Sequence, residues 1–155
     1  MSKTNAVRLL EAQNIPYSII EYDFNEDEID AVSVAKKIGA EPESVFKTLV
    51  AVNERNEFFV FVIPGNFELN LKNAARVTGN KNIELIKVKD LQPLTGYLRG
   101  GCSPIGMKKQ YPTFIDENAQ LFNNIFVSAG ARGIQLNISP DNLCNITNAK
   151  FAELI

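Results

Sequence analysis

Two apolar segments with a short polar one between them restrict the possible folds of this chain more than any other feature. Residues 45–52 and 58–63 are mostly aliphatic, β-branched or aromatic, whereas residues 53–57 are all polar. Two such segments joined by a short polar connection predict a β-hairpin. Because apolar residues fill most positions of both segments, we expect the two strands to be buried on both faces at the centre of a sheet.

Helix and strand patterns alternate along the rest of the chain. Apolar spacing and capping residues predict a helix after Thr4, a helix over residues 31–38 that ends at Gly39, and a helix from Asn70 to Gly79. Shorter helices are predicted near residues 88–91 and after Asp116, Ser139 and Thr147, and strands at residues 17–22, 83–86, 113–115, 125–128 and 134–138. This mixture of hairpin and crossover connections predicts an α+β fold with a strongly curved mixed sheet. Since no repeat or linker interrupts it, we expect one domain over residues 1–155.

The chain of 155 residues contains no histidine. Histidine supplies the base of most Ser and Cys hydrolase triads and many ligands of catalytic zinc, so both kinds of site are excluded. The two cysteines, Cys102 and Cys144, are too few for a disulfide framework and lack zinc-site spacing. We expect no metal and no cofactor. An enzyme built from this sequence must use lysines, carboxylates, hydroxyls, backbone groups or the substrate itself.

The charge of the chain is nearly balanced, with 16 basic and 18 acidic side chains. Domains that hold nucleic acid by long-range charge alone are usually strongly basic, so DNA is not an expected partner. No stretch approaches the roughly 20 apolar residues of a membrane-spanning helix, and the first residues lack the apolar core of a signal peptide. We therefore expect a soluble cytoplasmic protein without a membrane partner.

Lys47 is an unexpected charge in the first central strand. Alternation along the strand places its side chain on the same face as Val45 and Leu49. The ammonium could extend past the strand end into solvent. Alternatively, it could be held at the rim of a pocket and directed at an anionic or carbonyl oxygen. The strand pattern leaves both interpretations open.

Residues 95–109 contain four glycines and a proline, more than an ordinary turn needs. Gly101 and Gly106 have the separation of a Walker A loop, but Met107 occupies the position of its lysine, which excludes that motif. The double glycine at residues 100–101 favours a ligand that approaches the main chain closely. A plain turn is the alternative.

Ser128 and Cys102 are the candidate nucleophiles. Ser128 ends a predicted strand just before a Gly-x-x-Gly turn at residues 130–133, and Cys102 follows the double glycine. Neither has a histidine to activate it. We predict that Ser128 orients a ligand and that Cys102 packs in the interior, with a lysine-activated thiolate as the less favoured interpretation of Cys102.

Four segments of the chain match one known pattern. They are VFKTLV at 45–50, ELNLK at 68–72, TGYLRGGCSPIG at 95–106 with the lysine pair that follows, and VSAGARG at 127–133. Together they resemble the YbaK/EbsC family of aminoacyl-tRNA deacylases, which is related to the editing domain of some prolyl-tRNA synthetases. The resemblance implies a curved, barrel-like mixed sheet ringed by helices, with a cleft for the aminoacylated 3′ end of tRNA.

The resemblance also implies a site. Lys47 would be the essential lysine, and Gly100 would offer a backbone carbonyl near the reacting amino acid. Substrate contacts are implied for Tyr22, Phe46, Thr48, Gly101, Ser128, Gly130, Arg132 and Gln135, and tRNA contacts for Lys108 and Lys109. Asn70 stands where family members usually carry an aspartate, and Gln135 stands where some of them do. We therefore assign no carboxylate as a general base.

The implied activity is hydrolytic editing of mischarged tRNA, chiefly cysteine on the proline tRNA. The substrate thiol would attack its own ester and leave a thiolactone, and such intramolecular attack can supply about 7–11 kcal/mol through proximity. Two alternatives stay open: hydrolysis of alanyl-tRNA by an activated water, and a non-catalytic module that binds tRNA or a synthetase. Prolyl-tRNA synthetase is the expected partner if tRNA selectivity comes from outside the chain.

Overall fold

A computed structural model describes residues 3–155, and over that range it contains five α-helices and eight strands. The helices are Asn5–Ala12 (α1), Ala31–Ile38 (α2), Leu71–Thr78 (α3), Val88–Thr95 (α4) and Pro140–Thr147 (α5). The strands are Ser18–Glu21 (β1), Phe46–Asn53 (β2), Phe58–Pro64 (β3), Ile83–Leu85 (β4), Thr113–Asp116 (β5), Ile125–Ser128 (β6), Ile134–Ile138 (β7) and Lys150–Ala152 (β8). The α+β class predicted from the sequence is confirmed.

The predicted central hairpin is present. Strands β2 and β3 pair antiparallel, from Phe46 opposite Pro64 to Val52 opposite Phe58. They are interior strands of a five-stranded sheet in the order β4-β2-β3-β5-β8. Residues 60–64 of β3 are all buried, as expected for a strand that is covered on both faces.

A second sheet of three strands, in the order β1-β7-β6, packs beside the first. The larger sheet is mixed, because β3–β5 and β5–β8 are parallel while β2 pairs antiparallel with β3 and β4. The two sheets are joined by an isolated parallel bridge between Val45 and Phe126. Neither sheet is closed, so the barrel-like part of the expected fold is not confirmed.

Capping residues set the ends of the helices as predicted. Thr4 caps α1 and Asn70 caps α3, each accepting from a backbone N–H of the first turn. The helix predicted to begin at Thr147 is wrong. Thr147 is the last residue of α5, where its hydroxyl donates to the Leu143 carbonyl at 2.7 Å. Asn148 then adopts a left-handed conformation with φ of 54°, which ends the helix and leads into β8.

The main hydrophobic core lies between the sheets and the inner faces of α1 and α5, and includes Leu10, Ile125, Leu136 and Leu143. A smaller cluster of Val34, Ala35 and Val45 attaches α2 near the bridge between the sheets. Within residues 3–155, no helix is long and apolar enough to cross a membrane.

Candidate functional site

A cavity of about 300 Å³ opens beside the bridge between the two sheets. The cavity is lined by residues 45–49, by Ser128 and Gln135 of the second sheet, by the start of α2 and by the glycine-rich segment. Six of the residues predicted to form a site line this cavity: Phe46, Lys47, Thr48, Gly100, Ser128 and Gln135. Segments far apart in the chain are therefore brought together around one cavity.

Lys47 extends into this cavity from β2 and is half-buried. None of the ion pairs within 4.0 Å among residues 3–155 includes its ammonium. Burial lowers the pKa of Lys47, and the negative charges of Glu68 and Asp30 oppose that shift in part. The side chain thus places a positive charge, unpaired by a carboxylate, in the wall of a pocket rather than in open solvent.

Thr48 and Gln135 contribute polar atoms without hydrogen-bond partners. The Thr48 Oγ1 and the Gln135 Oε1 are buried, and neither bonds to any group in the described part of the chain. Gln135 lies on β7 directly opposite Ser128 of β6. Buried polar groups are nearly always paired in folded proteins. Two unpaired groups in one cavity are therefore candidates for bonds to a ligand.

Asp30 is the one carboxylate among the cavity-lining residues, and the sequence analysis did not single it out. It caps α2 by accepting from the Ser33 backbone at 3.1 Å and from the Ser33 hydroxyl at 2.6 Å. These bonds, the hydroxyl bond first, lower the pKa of Asp30. The capping position before an apolar helix was the available signal. A carboxylate so stabilised in its charged form is a poor general base.

Neither candidate nucleophile, Cys102 or Ser128, is activated by its surroundings. Burial raises the pKa of the Cys102 thiol to about 12, which removes the thiolate that nucleophilic attack requires. Ser128 is buried, and its Oγ accepts from the Gly130 N–H at 3.1 Å. Cys102 and Ser128 both line the cavity, and we assign neither as a nucleophile.

The double glycine has close protein neighbours. A Cβ at position 101 would lie 2.9 Å from the Arg132 nitrogen, and a Cβ at position 100, where φ is +83°, would lie 2.8 Å from the Ile29 Cβ. These contacts account for both glycines by packing within the chain. Gly100 also lines the cavity, so its backbone remains accessible from that side.

The other predicted site residues lie outside the cavity lining. Tyr22 packs against the cluster of Val34, Ala35 and Val45. Gly130 abuts the ring of Tyr97. The remaining four are Gly101, Arg132, Lys108 and Lys109, of which Lys109 lies over the Tyr111 ring and Lys108 packs along Gly96.

The family model of the aminoacyl-tRNA editing domain matches residues 26–146. That range includes every residue that lines the cavity. The chain belongs to the aminoacyl-tRNA editing domain family.

Two of three similar proteins match nearly the whole chain, and the third matches about half of it. An Enterococcus faecalis protein named "Putative Cys-tRNA(Pro)/Cys-tRNA(Cys) deacylase EbsC" is 49% identical over 152 residues, which cover 98% of this chain and 93% of that protein. A solved structure described as "a putative trans-editing enzyme for prolyl tRNA synthetase" has a TM-score of 0.85 and 25% identity, and covers 99% of this chain and 98% of that one. A proline–tRNA ligase of Brachyspira hyodysenteriae is 29% identical over 76 residues, or 49% of this chain and 13% of the ligase.

The cavity of this editing domain can position and polarise an ester. Lys47 supplies positive charge, and Thr48, Gln135 and the Gly100 backbone supply hydrogen-bonding groups. Across residues 3–155, no group of three or more His, Cys, Asp or Glu side chains is placed to hold a metal ion.

Proposed function

We propose that this chain is a trans-editing hydrolase that deacylates mischarged aminoacyl-tRNA, with Cys-tRNA(Pro) as its main substrate. Membership of the editing-domain family supports ester hydrolysis on tRNA. The E. faecalis relative, whose name specifies Cys-tRNA(Pro) and Cys-tRNA(Cys), supports cysteine as the edited amino acid. The whole of residues 1–155 would act as one domain, in the cytoplasm where aminoacyl-tRNA is used.

The observation that carries this proposal is a positively charged cavity without an activated base or nucleophile. Asp30 has a lowered pKa, Cys102 has a pKa of about 12, and the chain contains no histidine. A cysteinyl ester brings its own nucleophile, the substrate thiol, which is intrinsically reactive and a few per cent ionised near neutral pH. The enzyme then needs only to hold the substrate in the reactive conformation.

The proposed reaction has two steps. In the first, the substrate sulfur attacks the ester carbonyl carbon, a C–S bond forms, and the bond to the ribose oxygen breaks. The thiol proton ends on that ribose oxygen, which leaves free tRNA and a four-membered thiolactone. In the second step water opens the thiolactone to cysteine.

Each cavity group has a proposed task in the first step. The Lys47 ammonium stabilises the negative charge that develops on the carbonyl oxygen or holds the ribose and its phosphate. The unpaired Thr48 and Gln135 oxygens and the Gly100 carbonyl accept hydrogen bonds from the amino group of the substrate. Ser128 orients the amino acid from the opposite wall. Selection of the proline tRNA is assigned to prolyl-tRNA synthetase as a partner.

Deacylation of a small panel of mischarged tRNAs tests the proposal. Purified protein should release cysteine from Cys-tRNA(Pro), and Lys47→Met should reduce the rate about 100-fold or more, as removal of a single oxyanion-stabilising donor does. Lys150→Gln, which removes an exposed charge on β8, is the matched control and should leave the rate unchanged. A wild-type protein that binds tRNA but deacylates none of the panel would instead be a non-catalytic module.

A further inference from the structure

We infer that Arg99 and Arg132 form a phosphate site at the mouth of the cavity, which holds the phosphodiester that precedes the esterified ribose. The inference rests on the proposed function, since it takes the occupant of the cavity to be the 3′ end of an RNA. It assigns phosphate binding to Arg99, which the motifs did not single out, and to Arg132, which the resemblance implied only as a substrate contact.

A direct hydrogen bond links the two arginines. Arg99 is exposed and lines the cavity next to Gly100. The Nε of Arg132 donates to the Arg99 carbonyl oxygen at 2.8 Å. This bond holds the Arg132 guanidinium against the main chain of residue 99 and leaves its two terminal nitrogens available to another acceptor.

The backbones of the two arginine segments are also packed against each other. A Cβ at Gly101 would come within 3.1 Å of three backbone atoms of residues 131 and 132. Only glycine permits so close an approach without displacing a neighbour. The two arginines are therefore carried on loops whose backbones are in direct contact, so their positions along the chain are held close together.

The charge around the two arginines favours an anion. Neither Arg99 nor Arg132 belongs to an ion pair within 4.0 Å in the described range of the chain. Two like charges on adjacent loops repel each other unless an anion lies between them. Guanidinium groups bind phosphate through paired N–H donors, a geometry that lysine cannot reproduce.

The position of Arg99 also fits the chemistry of the cavity. Arg99 and Lys47 line the same cavity. If Arg99 holds the phosphate, the ribose that follows it can extend toward Lys47, and the ester on that ribose lies in the cavity. Arg132 is not itself a lining residue, and its hydrogen bond to the Arg99 carbonyl places it next to the lining.

Binding of RNAs that carry no amino acid, measured for the wild type and for arginine variants, tests the site without requiring catalysis. The probes are two fluorescent single-stranded RNAs that end in CCA, one natural and one with a neutral methylphosphonate at the last linkage. Arg99→Gln and Arg132→Gln should each weaken binding of the natural probe about 10-fold, the effect of losing a charge-assisted contact. Neither variant should further weaken binding of the methylphosphonate probe. Lys150→Gln should bind both probes as the wild type does.

The inference is overturned if the arginine variants weaken both probes equally, if they match Lys150→Gln, or if the wild type does not prefer the natural linkage. Thermal unfolding of each variant checks that it is folded. These outcomes are distinct from failure of the proposed function. A protein that shows the predicted binding pattern but deacylates no tRNA retains the phosphate site and loses the hydrolase assignment.

Discussion

The Thr48 hydroxyl and the Gln135 side-chain carbonyl are buried in the walls of one cavity, and neither bonds to any of residues 3–155. A buried polar group without a partner costs about 1–3 kcal/mol of stability. The free protein therefore holds two destabilising groups where the proposed substrate binds. A substrate that supplies donors to them gains affinity because the protein has already desolvated them.

Thr48→Val is predicted to stabilise the protein and impair its activity. Valine has nearly the shape of threonine but no hydroxyl, so the free energy of unfolding should rise by about 1 kcal/mol. Cys-tRNA deacylation should fall about 10-fold through the loss of one hydrogen bond to the substrate. Urea unfolding and initial deacylation rates measure the two effects.

Thr113→Val is the matched control for Thr48→Val. Thr113 is also buried in a strand, but its hydroxyl donates to the Tyr111 carbonyl at 2.9 Å. Removing a paired hydroxyl should destabilise the protein by about 1 kcal/mol and leave the deacylation rate unchanged. If Thr48→Val destabilises the protein as Thr113→Val does, the Thr48 hydroxyl has a partner and its proposed role is lost.

Lys47→Met is predicted to stabilise the protein near neutral pH. Burial lowers the pKa of Lys47 from its ordinary 10.5, so the unfolded chain binds this proton more tightly than the folded one. The charged lysine therefore destabilises the fold, and this contribution has its full size at pH values below the pKa of Lys47 in the folded state. The effect declines as the pH rises through the folded pKa and vanishes above 10.5.

Unfolding of the wild type and of Lys47→Met over this pH range measures the effect. The difference in free energy of unfolding should favour the variant near pH 7 and shrink as the pH approaches 10.5. Lys150→Met, at an exposed position on β8, should show no such trend. A Lys47→Met variant that is less stable than the wild type at all pH values would show that the ammonium is stabilised by pairing in the fold.

Cys102→Ala and Ser128→Ala are each predicted to reduce deacylation only partially. The Cys102 thiol, with a pKa of about 12, is not ionised near neutral pH, and the Ser128 Oγ is hydrogen-bonded to the Gly130 N–H rather than to a base. Intact-protein mass spectrometry during turnover should therefore detect no added acyl group. A covalent cysteinyl adduct on either residue would show that the enzyme supplies the nucleophile after all.

Short sequence patterns predict the helices and strands whose ends depend on neighbouring residues in the chain. The hairpin follows from two apolar segments around a polar connection, and the start of α3 follows from the Asn70 cap. Thr147 was misassigned because threonine caps helices but also ends them by bonding to the preceding turn, and only the backbone of Asn148 decides between the two.

Contacts between distant segments were not predictable from spacing. Gly101 is a glycine because the backbone of residues 131–132 packs on it, thirty positions later in the chain. Tyr22 does not line the cavity, and packs instead against the cluster of Val34, Ala35 and Val45. Of the residues implied by the resemblance to known deacylases, six line the cavity and six do not.

The last prediction concerns the thiol of the substrate. If the substrate sulfur is the nucleophile, Cys-tRNA(Pro) should be deacylated far faster than Ser-tRNA(Pro), because a hydroxyl of nearly the same size is a much weaker nucleophile near neutral pH. A cavity that activates water should instead accept cysteine, serine and alanine at similar rates, since discrimination among such small side chains contributes only about 1–3 kcal/mol. Initial rates for the proline tRNA charged with each of the three amino acids, under identical conditions, separate the two mechanisms. Comparable rates for all three would remove the substrate-assisted mechanism and leave the editing activity in place.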